Sequence, residues 1–385
     1  MTRLTSSRVF WVLDHEYSAA IGLATGVTVA LLWSALSSST YFSFVASKSS
    51  ARVLTYFGVS SLHDVVLSLL MAIFFFSMGL ELSRELSSGL LTKPKNAVPP
   101  VFGAIGGMLF TALGAVALGA ILNSPALRRG WGVPMATDVA FTLGVLAIAG
   151  RRLAPTLRIF LLTLAITDDV LSVIVLSVTG TTHVRPLGLA AMGATVALGL
   201  VVTRRHPGNV VSVVLLVVMW LCFAWANVEP ALAGVLAGVI VSTRAPKRVL
   251  LERNALRLSV AIVLPLFALV ACGLHWSNVA LSGAVGTVVI ATIAIRLIGK
   301  TLGITCGVAF ARALRFRLDP SLTWPLVATT ALLCAIGFTV PLLFATKLFG
   351  AQSSLYAGFT LGLLLSSAVA ALLSGALLRL QGRTE

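Results

Sequence analysis

Two adjacent carboxylates, Asp168 and Asp169, stand in a predominantly apolar run from Ile159 to Val178. Crossing the hydrocarbon core of a bilayer takes roughly 20 apolar residues, and this run is long enough. A charge at that depth costs at least about 2.5 kcal/mol, so an ionisable residue there points to function. Neighbouring acids also repel each other, so one of them holds a proton or shares a cation. Consecutive helical residues point about 100° apart. One acid therefore faces a cation path and the other a fixed base. Lys300 is the natural base, because an intramembrane ammonium also needs a counter-ion, and Thr301 to Phe310 continue its span. Arg296 lies four residues earlier on the same face and either pairs with an acid or reaches a water-filled cavity. Asp138, beside Thr137, is the remaining acid well inside a span.

A hard monovalent cation such as sodium takes oxygen ligands. Asp169, Thr137 and carbonyls freed at broken helices offer them. Zinc or copper fits poorly: no histidine lies near these acids in sequence, and Cys222, Cys272, Cys306 and Cys334 are scattered without a CxxC pair. The same buried oxygens hold either protons or a cation, and that competition is enough to couple two fluxes.

Composition sets the surroundings. The 385 residues are 58% hydrophobic and 10% charged, with a mean hydropathy of +1.02. A soluble domain carries about 25% charged residues, so the expected class is an all-α polytopic membrane protein. A β-barrel would show short alternating segments instead. The formal charge of +16 does not signal nucleic acid, because Lys and Arg sit in short loops between apolar runs. The polar stretch Met1 to Tyr17 lacks the apolar core of a signal peptide, so the first span is expected to be retained.

Twelve spans are expected, at 18–36, 64–83, 97–122, 133–149, 156–178, 187–203, 209–226, 230–243, 257–273, 281–310, 325–347 and 354–378. The segment 41–62 is expected outside, as a loop, surface helix or short hairpin. With a cytoplasmic N-terminus, 20 of the 28 Lys and Arg fall on inside segments, six fall outside, and Arg296 and Lys300 lie within a span. That bias supports an even span number and two cytoplasmic termini. Spans four and eleven are interrupted, by Pro134 with Thr137-Asp138 and by Gly337, Thr339 and Pro341. Spans 3–5 (about 97–178) and 10–12 (about 281–378) occupy matching places in halves of opposite orientation. Paired broken helices at such positions point to a midplane ion site in an inverted-repeat transporter.

With these residues laid out, the chain resembles the NhaA-type sodium/proton antiporter family. The resemblance runs through Phe74 to Glu85, Ala104 to Met108, Pro134 to Leu146, Phe160 to Val170, Ala233 to Gly238, Leu264 to Ala268, Leu297 to Ile304 and Ile336 to Thr339. It implies one transporter domain over 1–385, with discontinuous spans four and eleven crossing at midplane. It implies a secondary active transporter rather than an enzyme, without a cofactor. The activity would be electrogenic exchange of cytoplasmic sodium or lithium for a larger number of external protons, serving pH and sodium homeostasis in a bacterial inner membrane. Asp169 would be the principal cation ligand. Asp168 would be a proton carrier paired with Lys300. Asp138 would compensate the dipole ends at the crossing, supported by Gly337, and Thr137 would assist the ion site. Glu81, Glu85 and Glu252 match acids of the cytoplasmic funnel, where the family places its pH response. Glu229 stands on the external side where the family commonly shows a histidine, and Arg253-Asn-Ala-Leu256 also lacks one. Histidine titrates between pH 5 and 8, so the usual pH profile is not expected to carry over unchanged. Thr167 and Arg296 are polar where the family is usually apolar. Partners are sodium, lithium, protons, membrane lipid and, through an external hairpin that 48–58 matches poorly, a second copy in a homodimer.

Two other classes remain in view. An intramembrane aspartyl protease needs two acids sharing a proton, a geometry that adjacent residues cannot form. A sodium-coupled carrier of organic anions needs a roomy cavity with Arg296 as the anion's partner.

Overall fold

A computed structural model gives the architecture. It describes residues 2–48, 55, 59–88, 92, 94–150, 155–181, 184–205, 208–242, 248–279 and 282–382. The helices in chain order are α1 (Thr2–Leu36), α2 (Ser38–Val45), α3 (Leu62–Asp64, Val65–Leu70 and Met71–Ser88), α4 (Pro94–Ile121), α5 (Pro125–Arg129), α6 (Val139–Ala149) and α7 (Pro155–Thr179). Then follow α8 (Pro186–Arg205), α9 (Asn209–Ala226), α10 (Pro230–Ser242), α11 (Arg248–Leu258, Ser259–Val263 and Leu264–Ala271), α12 (Gly283–Ala294, Ile295–Lys300 and Thr301–Ala313), α13 (Trp324–Leu333), α14 (Thr339–Phe349) and α15 (Ser354–Gln381). The middle segments of α3, α11 and α12 are π-helical turns. Among the described residues the only β pairing is one isolated bridge, Lys48 to Ser61.

Local chemistry sets many of these ends. Proline opens α4, α5, α7, α8 and α10, where its missing N–H is no loss. Asn227 ends α9 in the left-handed conformation, which asparagine tolerates. Ser353 caps α15 by accepting from the Tyr356 N–H.

Among the described residues, nine helices are long and apolar enough to cross a membrane. They coincide with the expected spans one, two, three, five, six, seven, nine, ten and twelve. The chain is a multi-pass membrane protein. The other three differ from expectation. Span eight is the 13-residue α10. Span four does not begin as helix at 133: residues 130–138 are turns and extended chain, and α6 starts at Val139. Span eleven is α13 and α14 with 334–338 non-helical between them. In 41–62 a short helix is present, while 49–54 and 56–58, most of the expected hairpin, lie outside the described residues.

The chain divides into two units. Unit 1 holds Met1–Leu23, Lys93–Ser172 and Leu274–Glu385; unit 2 holds Ala24–Thr92 and Val173–Gly273. In unit 1, α4 packs on α12 through glycines: a Cβ on Gly106 or Gly303 would collide with the other's backbone. Glycines that let two backbones approach stabilise helix pairs in lipid, where no hydrophobic force drives them together. Helix α15 lies against α6, α12, α13 and α14. In unit 2, α3 packs on α10 in the same manner, through Gly79, Gly234 and Gly238. Phe76, Leu80, Met219, Phe223 and Ile240 fill the space beside them. The buried Tyr41 hydroxyl, on α2, donates to Leu269 O at 2.7 Å and accepts from Gly273 N at 3.1 Å.

Candidate functional site

Unit 1 brings the two helix interruptions together. The Asp138 N–H donates to Ile336 O at 2.9 Å, and the Thr137 hydroxyl donates to Cys334 O at 2.9 Å. Asp138 also caps α6, its Oδ1 accepting from the Phe141 N–H at 3.1 Å. Arg296 comes from the π-helical turn of α12 and is fully buried. Its Nε donates to Ala335 O at 3.0 Å and its Nη1 to Pro134 O at 3.0 Å. Its Nη2 donates to Ala136 O at 3.1 Å and again to Ala335 O at 2.8 Å. A planar fork of five donors suits such a task and an ammonium does not. Gly337 lies where they meet: a Cβ there would stand 2.6 Å from both Ala136 O and Arg296 Nη2. The Gly337 N–H donates to the Ser367 hydroxyl at 3.1 Å.

Two expectations change. Arg296 forms no ion pair with an acid among the described residues, and with four of its N–H donors on carbonyls it is poorly placed to receive an organic anion. Six of the carbonyls at the interruptions are not bare ligands either. Pro134, Ala136 and Ala335 accept from Arg296, Met135 accepts from Lys300, and Cys334 and Ile336 accept from Thr137 and Asp138.

The acid pair on α7 is split by its surroundings. Lys300 Nζ, fully buried, donates to both Asp168 oxygens at 2.8 Å as well as to Met135 O. The Thr137 N–H donates to Asp168 Oδ2 at 2.7 Å. Asp169 is 1% exposed, and neither of its oxygens has a hydrogen-bond partner among the described residues. The charged groups near enough to act on it are Asp168, Asp138 and Lys300. The Thr167 hydroxyl donates back to Thr163 O at 2.7 Å.

In unit 2 a residue that the sequence reading had not singled out gathers the other acids. Arg84 donates through Nη1 to Glu252 Oε1 at 2.5 Å and through Nη2 to Glu81 Oε1 at 3.1 Å, with Glu85 at 3.9 Å. The spacing 81, 84, 85 is one helical turn, a readable signal; Glu252 is remote in sequence, and only the family resemblance groups it with the other two. Arg84 is 39% exposed, so each pair is worth at most about 1 kcal/mol. Arg84→Ala and Glu252→Ala are expected to be less than additive in thermal stability, with a coupling of about 0.5–1 kcal/mol in a double-mutant cycle. Glu229, buried, immediately precedes α10.

Comparisons with known proteins agree with this architecture. The family model described as Na+/H+ antiporter 1 matches residues 11–378. The Na(+)/H(+) antiporter NhaA of Sodalis glossinidius is 35% identical over 319 residues, covering 80% of this chain and 79% of that one. The NhaA of Nocardia farcinica is 39% identical over 334 residues, covering 82% and 77%. NhaA 2 of Kineococcus radiotolerans is 34% identical over 407 residues, covering 99% and 86%. Among solved structures, the sodium proton antiporter MjNhaP1 of Methanocaldococcus jannaschii has a similar fold: TM-score 0.59 over 94% of this chain and 91% of that one, at 15% identity.

Proposed function

The chain belongs to the Na+/H+ antiporter 1 family, and from that premise we propose that it exports cytoplasmic sodium or lithium against external protons, with cation and proton competing for Asp169. The observation that carries this is the asymmetry of the pair: Asp168 is held by Lys300, while both oxygens of Asp169, equally buried, lack partners among the described residues. A buried carboxylate without a partner is costly unless it takes up positive charge. Either a proton or an alkali cation supplies it, and loading one excludes the other. Competition at one site then makes each cation's outward step depend on a proton's inward step.

Asp168 with Lys300 carries a further proton, so that more protons enter than cations leave and the exchange is electrogenic. Arg296 and Asp138 balance the helix ends at the interruptions, and Thr137 keeps lone pairs for the cation while its hydrogen ties the two stretches together. Twelve helices, with spans 3–5 and 10–12 as inverted repeats and spans four and eleven crossing, complete the reading. Both sets lie mainly in unit 1. The termini are cytoplasmic, the membrane is the bacterial inner membrane, and the role is pH and sodium homeostasis. Glu81, Glu85 and Glu252, gathered by Arg84, form the cytoplasmic pH-responsive cluster; Glu229 faces the external side. A homodimer fits the family.

The test is purified protein in liposomes with an imposed proton gradient. Adding sodium or lithium, but not choline, is expected to collapse the gradient, at a rate that changes with an imposed membrane potential. No cation-dependent proton movement across the physiological pH range would refute the function. A rate indifferent to potential would remove the charge imbalance alone.

A further inference from the structure

We propose that Ser172 is a specificity-determining ligand of the transported cation, its hydroxyl oxygen joining the Asp169 carboxylate. This rests on the assignment of Asp169 above and adds a neutral ligand to it.

Ser172 behaves unlike four other hydroxyls of its helix. Thr163, Thr167, Ser177 and Thr179 on α7 each donate back to the carbonyl four residues earlier, at 2.7–2.9 Å. That back-bond is the usual way for a hydroxyl on a membrane helix to satisfy itself. Ser172 is fully buried and makes no hydrogen bond among the described residues. A buried polar atom left this way needs an explanation, and the binding of an ion is one of the few on offer.

Position supplies the ion. Ser172 lies three residues after Asp169, on the same helix face, where Cβ atoms are about 5–6 Å apart. Two oxygens reaching from that separation can touch one cation. The buried side-chain atoms without a partner include both oxygens of Asp169, Asp138 Oδ2 and Ser172 Oγ. All three residues belong to unit 1.

The main chain competes poorly for this role. Among the carbonyls at the interruptions, those of Pro134, Met135, Ala136 and Ala335 already accept from a cationic donor, Arg296 or Lys300. A carbonyl pressed against a guanidinium or ammonium repels a second cation. Side-chain oxygens escape that repulsion, and Ser172 offers one without adding charge. Such a ligand discriminates between ions by size and hardness. A proton, which needs a single oxygen, gains little from it.

The experiment is exchange in proteoliposomes by wild type, Ser172→Ala and Ser172→Cys, with melting midpoints in detergent. The cysteine keeps the volume but presents a soft sulfur that alkali cations bind weakly. Both variants are expected to raise the apparent KM for sodium about five- to tenfold, with the maximal rate within about twofold, as loss of one neutral ligand implies. The sodium-to-lithium KM ratio should shift as well, and melting should stay put. Wild-type KM and ion ratio in either variant would overturn the proposal, as would a lower maximal rate at unchanged KM. If wild type itself shows no cation-dependent exchange, the underlying antiport reading fails instead.

Discussion

Asp169→Asn is expected to abolish cation-dependent proton movement in proteoliposomes while leaving the folded protein at least as stable as wild type. The replacement keeps the shape and removes only the charge. Neither oxygen of Asp169 has a protein hydrogen-bond partner among the described residues, so no internal bond is lost. A charge at mid-bilayer depth costs at least about 2.5 kcal/mol, so its removal stabilises the fold or leaves it unchanged. Function responds the other way. An amide neither binds a proton near neutral pH nor attracts a cation as a carboxylate does. A loss of at least about 100-fold in exchange rate, equivalent to about 2.7 kcal/mol, is the expected scale. Full exchange by this variant would refute the site; a collapse in melting with it would mean that Asp169 holds the structure rather than the cargo.

Arg296→Met is expected to do the reverse and strike stability first. Methionine replaces only the apolar stem, and the fork's four hydrogen bonds to Pro134, Ala136 and Ala335 vanish. A buried acceptor left unsatisfied costs about 1–3 kcal/mol, and three carbonyls are stranded together. The drop should be at least about 3 kcal/mol, read as a large fall in the melting midpoint in detergent. Arg296→Lys keeps the charge without the fork and should recover only part of it. Lys300→Ala makes a useful comparison. Removing one partner of a buried ion pair costs about 3–5 kcal/mol, yet the Thr137 N–H remains on Asp168. Unchanged melting in Arg296→Met would show that the interruptions are held by other means.

The long spans were legible because burial in lipid writes itself into continuous apolar sequence. The same contrast exposed Asp138, Asp168, Asp169, Arg296 and Lys300, since every ionisable residue stands out against such a background. The partner of Arg296 was not legible. A backbone carbonyl carries no residue signature, and it becomes an available acceptor only where a helix stops. The sequence marked Pro134 and Gly337 as breakers but not how far each helix unwinds, so span four was drawn from 133 although its helix starts at Val139. Span eight, the 13-residue α10, is legible in its apolar content; the end of α9 before it is set by Asn227 in a left-handed conformation, a backbone choice that composition does not announce. The isolation of Ser172 was hidden for a related reason: whether a hydroxyl turns back on its own helix depends on what lies beside it.

The π-helical turn Ile295–Lys300 carries both buried cations, one at either end of its reach. A wide turn of this kind holds one more residue than an α-helical turn does. Arg296 can thus grip main-chain carbonyls while Lys300, one turn on, grips a carboxylate. Chain length at this spot is therefore as much a requirement as residue type. Losing even the exposed Ile298 would tighten the coil and swing one cation about 100° off its target. Here an apparently expendable lipid-facing residue serves as a spacer for two charges it never touches.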